Sequence, residues 1–244
     1  MIKNLILFAF VFVGSLSFAN KLCYLGDSQS ASKGESMSLF QSIKSTLKEH
    51  GTLHSGMAVC GAPISGYLGR SMSGCKYKGV THLSITNGRD NVVGGRGRTK
   101  PMDDICAGTD TVIVQLGDNN LNNSKAAGQD AKKLANKIIQ SGKKCVWIGP
   151  ASIGTNRCAI KKNQKNAVSN SIKAAIEPLG CKFVDSFSAT AKNPPKSKDP
   201  MCIHYPGLYG QWADAIKPML NEALIDGATG GTPGSSSGKK KAIR

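Results

Sequence analysis

Four short polar segments, each placed where an apolar run ends or a helix begins, carry the residue types that acyl transfer requires. Gly26-Asp27-Ser28-Gln29-Ser30 follows the apolar run 22–25. A serine at a strand's carboxyl end, ahead of a helix, exposes its hydroxyl and leaves its own N–H available to an oxyanion. A serine hydroxyl is barely ionised at neutral pH and needs a base. Of the four histidines, His204 in Ile203-His204-Tyr205-Pro206 alone lies between a strand and a helix near a carboxylate, whereas His50, His54 and His82 read as surface residues. Gly117-Asp118-Asn119-Asn120 follows the run 111–116, where the Asn119 amide could donate to developing negative charge. Ile64-Ser65-Gly66 follows a weaker run at 57–60, and Gly66 would let a substrate approach a backbone N–H. Taken singly, each segment also reads as an ordinary turn, with serine as an N-cap or asparagine in a tight loop.

The elements that must position these residues follow from periodicity. Residues 22–25, 57–60, 111–116, 145–148 and 182–184 read as strands, with Thr111-Val112-Ile113-Val114-Gln115-Leu116 the clearest. Apolar residues recur at helical spacing over 37–47, 125–140 (closed by Gly142), 163–179 (stopped by Gly180) and 209–225, where Pro218 predicts a kink. Strands alternating with amphipathic helices imply an α/β fold with parallel strands and helices on both faces. The pattern fails over residues 69–108, where glycines and basic residues replace any apolar period; this stretch reads as a long insertion or active-site loop tied by Cys75 and Cys106.

The four segments, in this order, resemble the SGNH (GDSL-like) hydrolases: a GDS-type block with Ser28, a glycine block at Gly66, a G-x-N block at Gly117 and Asn119, and a late block at His204. The resemblance spans nearly the whole chain after residue 19. It implies a flavodoxin-like three-layer α/β/α sandwich with a central parallel sheet, Ser28 as nucleophile and His204 as base. It also implies an oxyanion hole made of the Ser28 N–H, the Gly66 N–H and the Asn119 amide. The family's aspartate stands three residues before the histidine, a position held here by Met201. Asp199 lies two residues further back and reaches His204 if the Pro200 turn folds it over. Otherwise a backbone carbonyl orients the ring and leaves a dyad, with Asp185 the other carboxylate to consider. Asn120 replaces the aspartate common in the family. No metal or organic cofactor is expected.

The chain opens with Lys3, an apolar run from Leu5 to Val13 and then Ser17-Phe18-Ala19, a signal-peptide pattern that predicts cleavage after Ala19. That run is too short to span a bilayer, so no stable membrane insertion is expected after cleavage. Residues 20–226 are expected to form the hydrolase-like domain, and the Gly/Ser-rich basic stretch 227–244 a disordered tail. All eight cysteines follow residue 19, which predicts disulfides whose pairing the sequence leaves open. For Cys23 and Cys145, in apolar runs, the alternative is simple burial as free thiols.

A formal net charge of +17 draws the chain to polyanions. With five Tyr, seven Phe and two Trp there is little aromatic surface for base stacking, which disfavours nucleic acid. The expected partner is an acylated carbohydrate or another anionic envelope polymer such as O-acetylated peptidoglycan, met in the periplasm or outside the cell. Asp27, Arg96 and Arg98 are expected to face it, with Arg70, Arg89 and Lys100 as further groove wall. Two other functions fit the sequence. A lipid or phospholipid esterase would need an apolar acyl channel, and a non-catalytic polysaccharide-binding module would keep the basic surface without turnover.

Overall fold

The computed structural model describes residues 20–32, 38–69, 71–76, 80–154 and 156–226. The expected leader at 1–19, the tail at 227–244 and Arg70 lie outside them. Seven strands, β1 (Lys21–Gly26), β2 (Thr52–Val59), β3 (Thr81–Thr86), β4 (Arg89–Gly94), β5 (Thr111–Gln115), β6 (Lys144–Ile148) and β7 (Lys182–Val184), form one sheet. Their order is β4-β3-β2-β1-β5-β6-β7. Strands β2, β1, β5, β6 and β7 pair in parallel, which is the flavodoxin-like order, while β3 and β4 add an antiparallel edge beside β2.

Period-two alternation in the central strands feeds two cores. Leu22 and Tyr24 of β1, Ile113 of β5 and Val146 and Ile148 of β6 face one side. They are covered by α1 (Leu39–Glu49) and α6 (Tyr209–Asp226), through Leu39, Phe40, Ile43 and Leu47 and through Trp212, Ile216 and Leu220. Cys23, Leu25, Val112, Val114 and Trp147 point the other way, under α3 (Ser124–Gln140) and α4 (Ala159–Ile176). Strands apolar on both faces need helices on both, and the three-layer sandwich follows from that requirement. Side chains cap two of these helices: Ser38 accepts the Gln41 N–H and Asn123 the Ala126 N–H. Short helices α2 (Met102–Ile105) and α5 (Ser186–Thr190) complete the set, and α6 is continuous through Pro218.

The described residues of 69–108, read in sequence as a long insertion or loop, include regular structure. They hold the β3–β4 hairpin, whose turn places Asn87 and Gly88 at φ 50° and 79°, and they end in α2. Consecutive left-handed residues are what an Asn-Gly hairpin turn supplies. Cys75 and Cys106 do not tie this stretch to itself. Cys75 pairs with Cys60, just past β2, and Cys106 with Cys23 in β1, so each end is fastened to the sheet. Cys145–Cys181 and Cys158–Cys202 complete four disulfides, and the free-thiol reading of Cys23 and Cys145 is set aside.

Gly117, directly after β5, has φ 141°, and a Cβ there would come within 2.9 Å of Pro150 Cγ. Both the backbone conformation and the space require glycine. Gly117→Ala is expected to lower unfolding stability by about 1–3 kcal/mol, read as a shift in the urea midpoint at unchanged slope.

Candidate active site

The strand order reverses between β1 and β5, so the crossovers from these neighbours leave in opposite directions and open a crevice at their carboxyl ends. Ser28 lies two residues beyond β1 and Asn119 four beyond β5, which puts both at this crevice. The segment before α6 brings His204 to the same crevice. His204 Nε2 stands 2.9 Å from Ser28 Oγ, and Nδ1 stands 3.3 Å from Asp199 Oδ2. With the proton on Nδ1 donated to Asp199, Nε2 is left to accept the serine hydroxyl.

Asp199 reaches the ring because the chain wraps around its carboxylate. Oδ1 accepts the Met201 N–H, and Oδ2 accepts those of Ile203 and His204. The Asp199 carbonyl accepts the Cys202 N–H, and Cys202 takes a left-handed φ of 58°. Burial alone would raise the Asp199 pKa, but these backbone donors and the nearby imidazole hold it below the usual carboxylate value. Met201, at the family's aspartate position, is 58% exposed and points no acid at the ring. Asp185 is occupied elsewhere, accepting the Ser188 N–H at the start of α5 and facing Lys173. Cys158–Cys202 fastens the same loop to the start of α4.

Two of the expected donors stand differently. Gly66 is buried in the 3₁₀ turn Ile64–Tyr67, gives its N–H to the Pro63 carbonyl and packs against Thr99, so it has no free donor to offer. Gly61, immediately after Cys60 at the end of β2, is exposed with φ 75°, and its N–H has no acceptor among the described residues. The same holds for the Ser28 N–H. The Cys60-Gly61 pair closing the second strand was the legible signal for this position. Asn119 Nδ2 donates to Asp27 Oδ2 and to the Ala62 carbonyl, each at 3.2 Å, which engages both amide protons.

Asp27 is not a substrate-facing group. It is fully buried, accepts the Gln29 N–H and the Asn119 amide, and holds the turn after β5 against the turn after β1. Desolvation, reinforced by the charge of nearby Asp118, pushes its pKa up to about 8, so the carboxyl is largely neutral at pH 7. Asp118 in turn contacts Lys165 of α4, and both side chains are fully buried. Burial would push the Lys165 pKa down, but the Asp118 charge overrides it and the net direction is upward. Removing either partner of such a pair strands a lone buried charge, which costs about 3–5 kcal/mol.

A cleft of about 420 Å³ opens over Ser28 and His204, lined also by Ala31, Cys60, Val80, Thr81, Lys198 and Tyr209. Arg96 and Arg98 are exposed but do not line it; among the described residues Lys198 is the Lys or Arg that does. Among the described residues, no three His, Cys, Asp or Glu side chains come together as metal ligands would.

No protein-family profile and no curated protein matches the sequence. Solved structures do match. LAE5, an alpha/beta hydrolase enzyme from the metagenome of Lake Arreo, aligns at 15% identity and a TM-score of 0.56, over 85% of this chain and 98% of its own. A GDSL-like lipase from Bacteroides thetaiotaomicron aligns at 14% and 0.54, over 85% and 88%. A variant of Axe2, an acetyl-xylooligosaccharide esterase from Geobacillus stearothermophilus, aligns at 13% and 0.53, over 82% and 94%. Identities this low speak for architecture alone, and what they establish is that this chain has the three-layer α/β fold of the SGNH-type (GDSL-like) esterases and lipases.

Proposed function

We propose that the chain is an exported serine esterase that removes a small acyl group, with acetyl the leading case, from a carbohydrate of the cell envelope. The observation that carries this reading is the unbroken line Asp199–His204–Ser28, at 3.3 and 2.9 Å, along the floor of an open cleft. Ser28 Oγ attacks the ester carbonyl while His204 Nε2 takes its proton, and Asp199 stabilises the imidazolium that forms. The tetrahedral oxyanion is received by the N–H groups of Ser28 and Gly61, with Gly61 in the place expected for Gly66. Asn119 joins them by turning one amide proton away from Asp27 or the Ala62 carbonyl. A neutral Asp27 is the weaker acceptor and so the easier of the two to leave. His204 then returns the proton to the leaving alcohol, and water repeats the sequence on the acyl-enzyme.

The substrate class rests on the cleft. Its lining includes Ala31, Val80 and Cys60 of the Cys60–Cys75 bridge, small and apolar groups that suit a small acyl chain, and Lys198, a cation that suits an anionic polymer. The net charge of +17 and four disulfides fit a chain working on anionic material in an oxidising compartment. The name of the Axe2 neighbour, an acetyl-xylooligosaccharide esterase, points the same way. One feature favours lipid esters instead: Met201 is exposed beside Pro200, which lines the cleft.

With p-nitrophenyl esters and O-acetylated peptidoglycan, the wild type is expected to release acetate, and Ser28→Ala and His204→Ala to lose at least about 10³-fold in kcat. Asp199→Asn is expected to fall by about 10²–10⁴-fold with little change in KM. Wild-type rates that rise from acetyl to long-chain esters would transfer the assignment to a lipid esterase, and a folded, polymer-binding but inactive wild type would leave only a binding module. A separate expectation concerns pH. Folded Asp27 keeps, up to about pH 8, a proton that the unfolded chain releases near pH ~3.9, so this group makes wild-type stability fall as pH rises between the two. Asp27→Asn removes that loss, and urea unfolding at about pH 5 and about pH 9 should show the variant gaining on the wild type at the higher pH.

A further inference from the structure

The residue after the nucleophile is a fully buried glutamine, and its amide reaches across to the loop that carries the base. Gln29 Nε2 donates to the Ile203 carbonyl at 3.0 Å, one peptide ahead of His204 and 174 positions away in sequence. Its Oε1 accepts the Tyr209 hydroxyl at 2.7 Å, and the Tyr209 hydroxyl oxygen in turn accepts the Tyr205 N–H at 3.5 Å. The Ile203 carbonyl takes a second donor, Lys165 Nζ at 3.4 Å, which also holds Asp118 beside Asn119. One carbonyl is thereby the meeting point of the nucleophile turn, through Gln29, and the oxyanion turn, through Asp118 and Lys165.

A buried side-chain amide costs free energy unless its bonds are made, and an apolar residue would fill this space without that cost. What the amide supplies is direction. The Gln29 main chain is fixed at both ends: its N–H donates to Asp27 and its carbonyl accepts the Leu39 N–H. The side chain therefore reaches Ile203 from a stationary base. The distance from Ser28 Oγ to His204 Nε2 depends on two loops brought together from opposite ends of the chain, and a shift of about 1 Å there can cost about 10²-fold in rate.

Resting on the serine-esterase reading above, we infer that Gln29 is a positioning residue, which locks the His204 loop to the nucleophile turn through the Ile203 carbonyl and so sets the Ser28–His204 contact. Gln29→Met keeps the length and removes both bonds; Tyr209→Phe removes only the hydroxyl that bonds Gln29 Oε1. Labelling of Ser28 by a fluorophosphonate reads nucleophile activation without a need for the natural ester, and amide hydrogen exchange reads the order of residues 199–206. For Gln29→Met, labelling and kcat are expected to fall about tenfold or more, with KM within about twofold and faster exchange over 199–206. Tyr209→Phe is expected to move in the same direction by less, and it carries the test if Gln29→Met does not fold. A folded Gln29→Met that is labelled and turns over at the wild-type rate overturns the lock while leaving the esterase reading intact. A wild type that is protected over 199–206 yet neither labelled nor active overturns the esterase reading, and the lock with it.

Discussion

Everything at the site depends on one topological constraint, the placement of β1 between β2 and β5 in a parallel sheet. Parallel strands cannot be joined by tight turns, so the chain must leave each carboxyl end, cross over a face and return. Because right-handed crossovers are strongly preferred, neighbours whose successors lie on opposite sides send their connections to opposite faces, and the carboxyl edge between them stays open. The turns after β1 and β5 have no other place to go than the rim of that opening. The glycines at their starts answer the same constraint: Gly117 must bend away from Pro150, and Gly26 has Ala58 Cβ at 3.2 Å from any side chain it could carry.

Beneath the rim lies a layer of buried charge. Asp27, Asp118 and Lys165 are each fully buried, yet only one cation serves two carboxylates. Asp118 takes the lysine, and Asp27 retains its proton well into the neutral range. The layer is thus close to neutral in sum, as a low-dielectric interior requires. It also joins elements that apolar packing would leave free to slide: α4 to the turn after β5, and that turn to the one after β1. Asp199 behaves in the opposite way. At the edge of the cleft and wrapped by three backbone N–H groups, it stays ionised, which is the condition for steadying a charged imidazole.

The parallel strands and the four long helices were legible in the sequence because their apolar periods are clean. The β3–β4 hairpin was not read, although Asn87-Gly88 between alternating residues carries its turn signal; the basic run 94–98 that follows obscured the alternation. β2 begins five residues earlier than its apolar run because Thr52, His54, Ser55 and Gly56 give no hydrophobic pattern, and its neighbours on both sides make it a strand. Residue type and position beside strand ends single out Ser28, His204 and Asn119 in the sequence, and the fold sets His204 Nε2 2.9 Å from Ser28 Oγ. Asp199 was found with its geometry open, since only the fold of the Pro200 turn decides whether the carboxylate reaches the ring. The glycine of the second block was placed on Gly66 by spacing, and the free N–H belongs to Gly61. Which N–H is spent inside a turn is a property of backbone angles, and a string of residue names does not hold them. Asp27 reads in sequence as a group facing the substrate, and Gln29 and Lys165 give no signal, because polar residues buried beneath a site look in sequence like any others on its rim.

The Cys158–Cys202 bridge stands two residues from His204 and three from Asp199. The hydrogen bonds that shape this loop re-form whenever the chain refolds, but the bridge must be made by an oxidant, with the right partner among seven other thiols. Under the proposed chemistry, catalytic competence then has a history as well as a sequence. A chain with its cysteines still reduced, or paired otherwise, carries Ser28 just past β1 while His204 hangs on a loop with one fastening fewer. Under the proposed chemistry, the appearance of activity would serve as a clock for oxidative maturation, and the same residues would give a quieter protein wherever thiols are kept reduced.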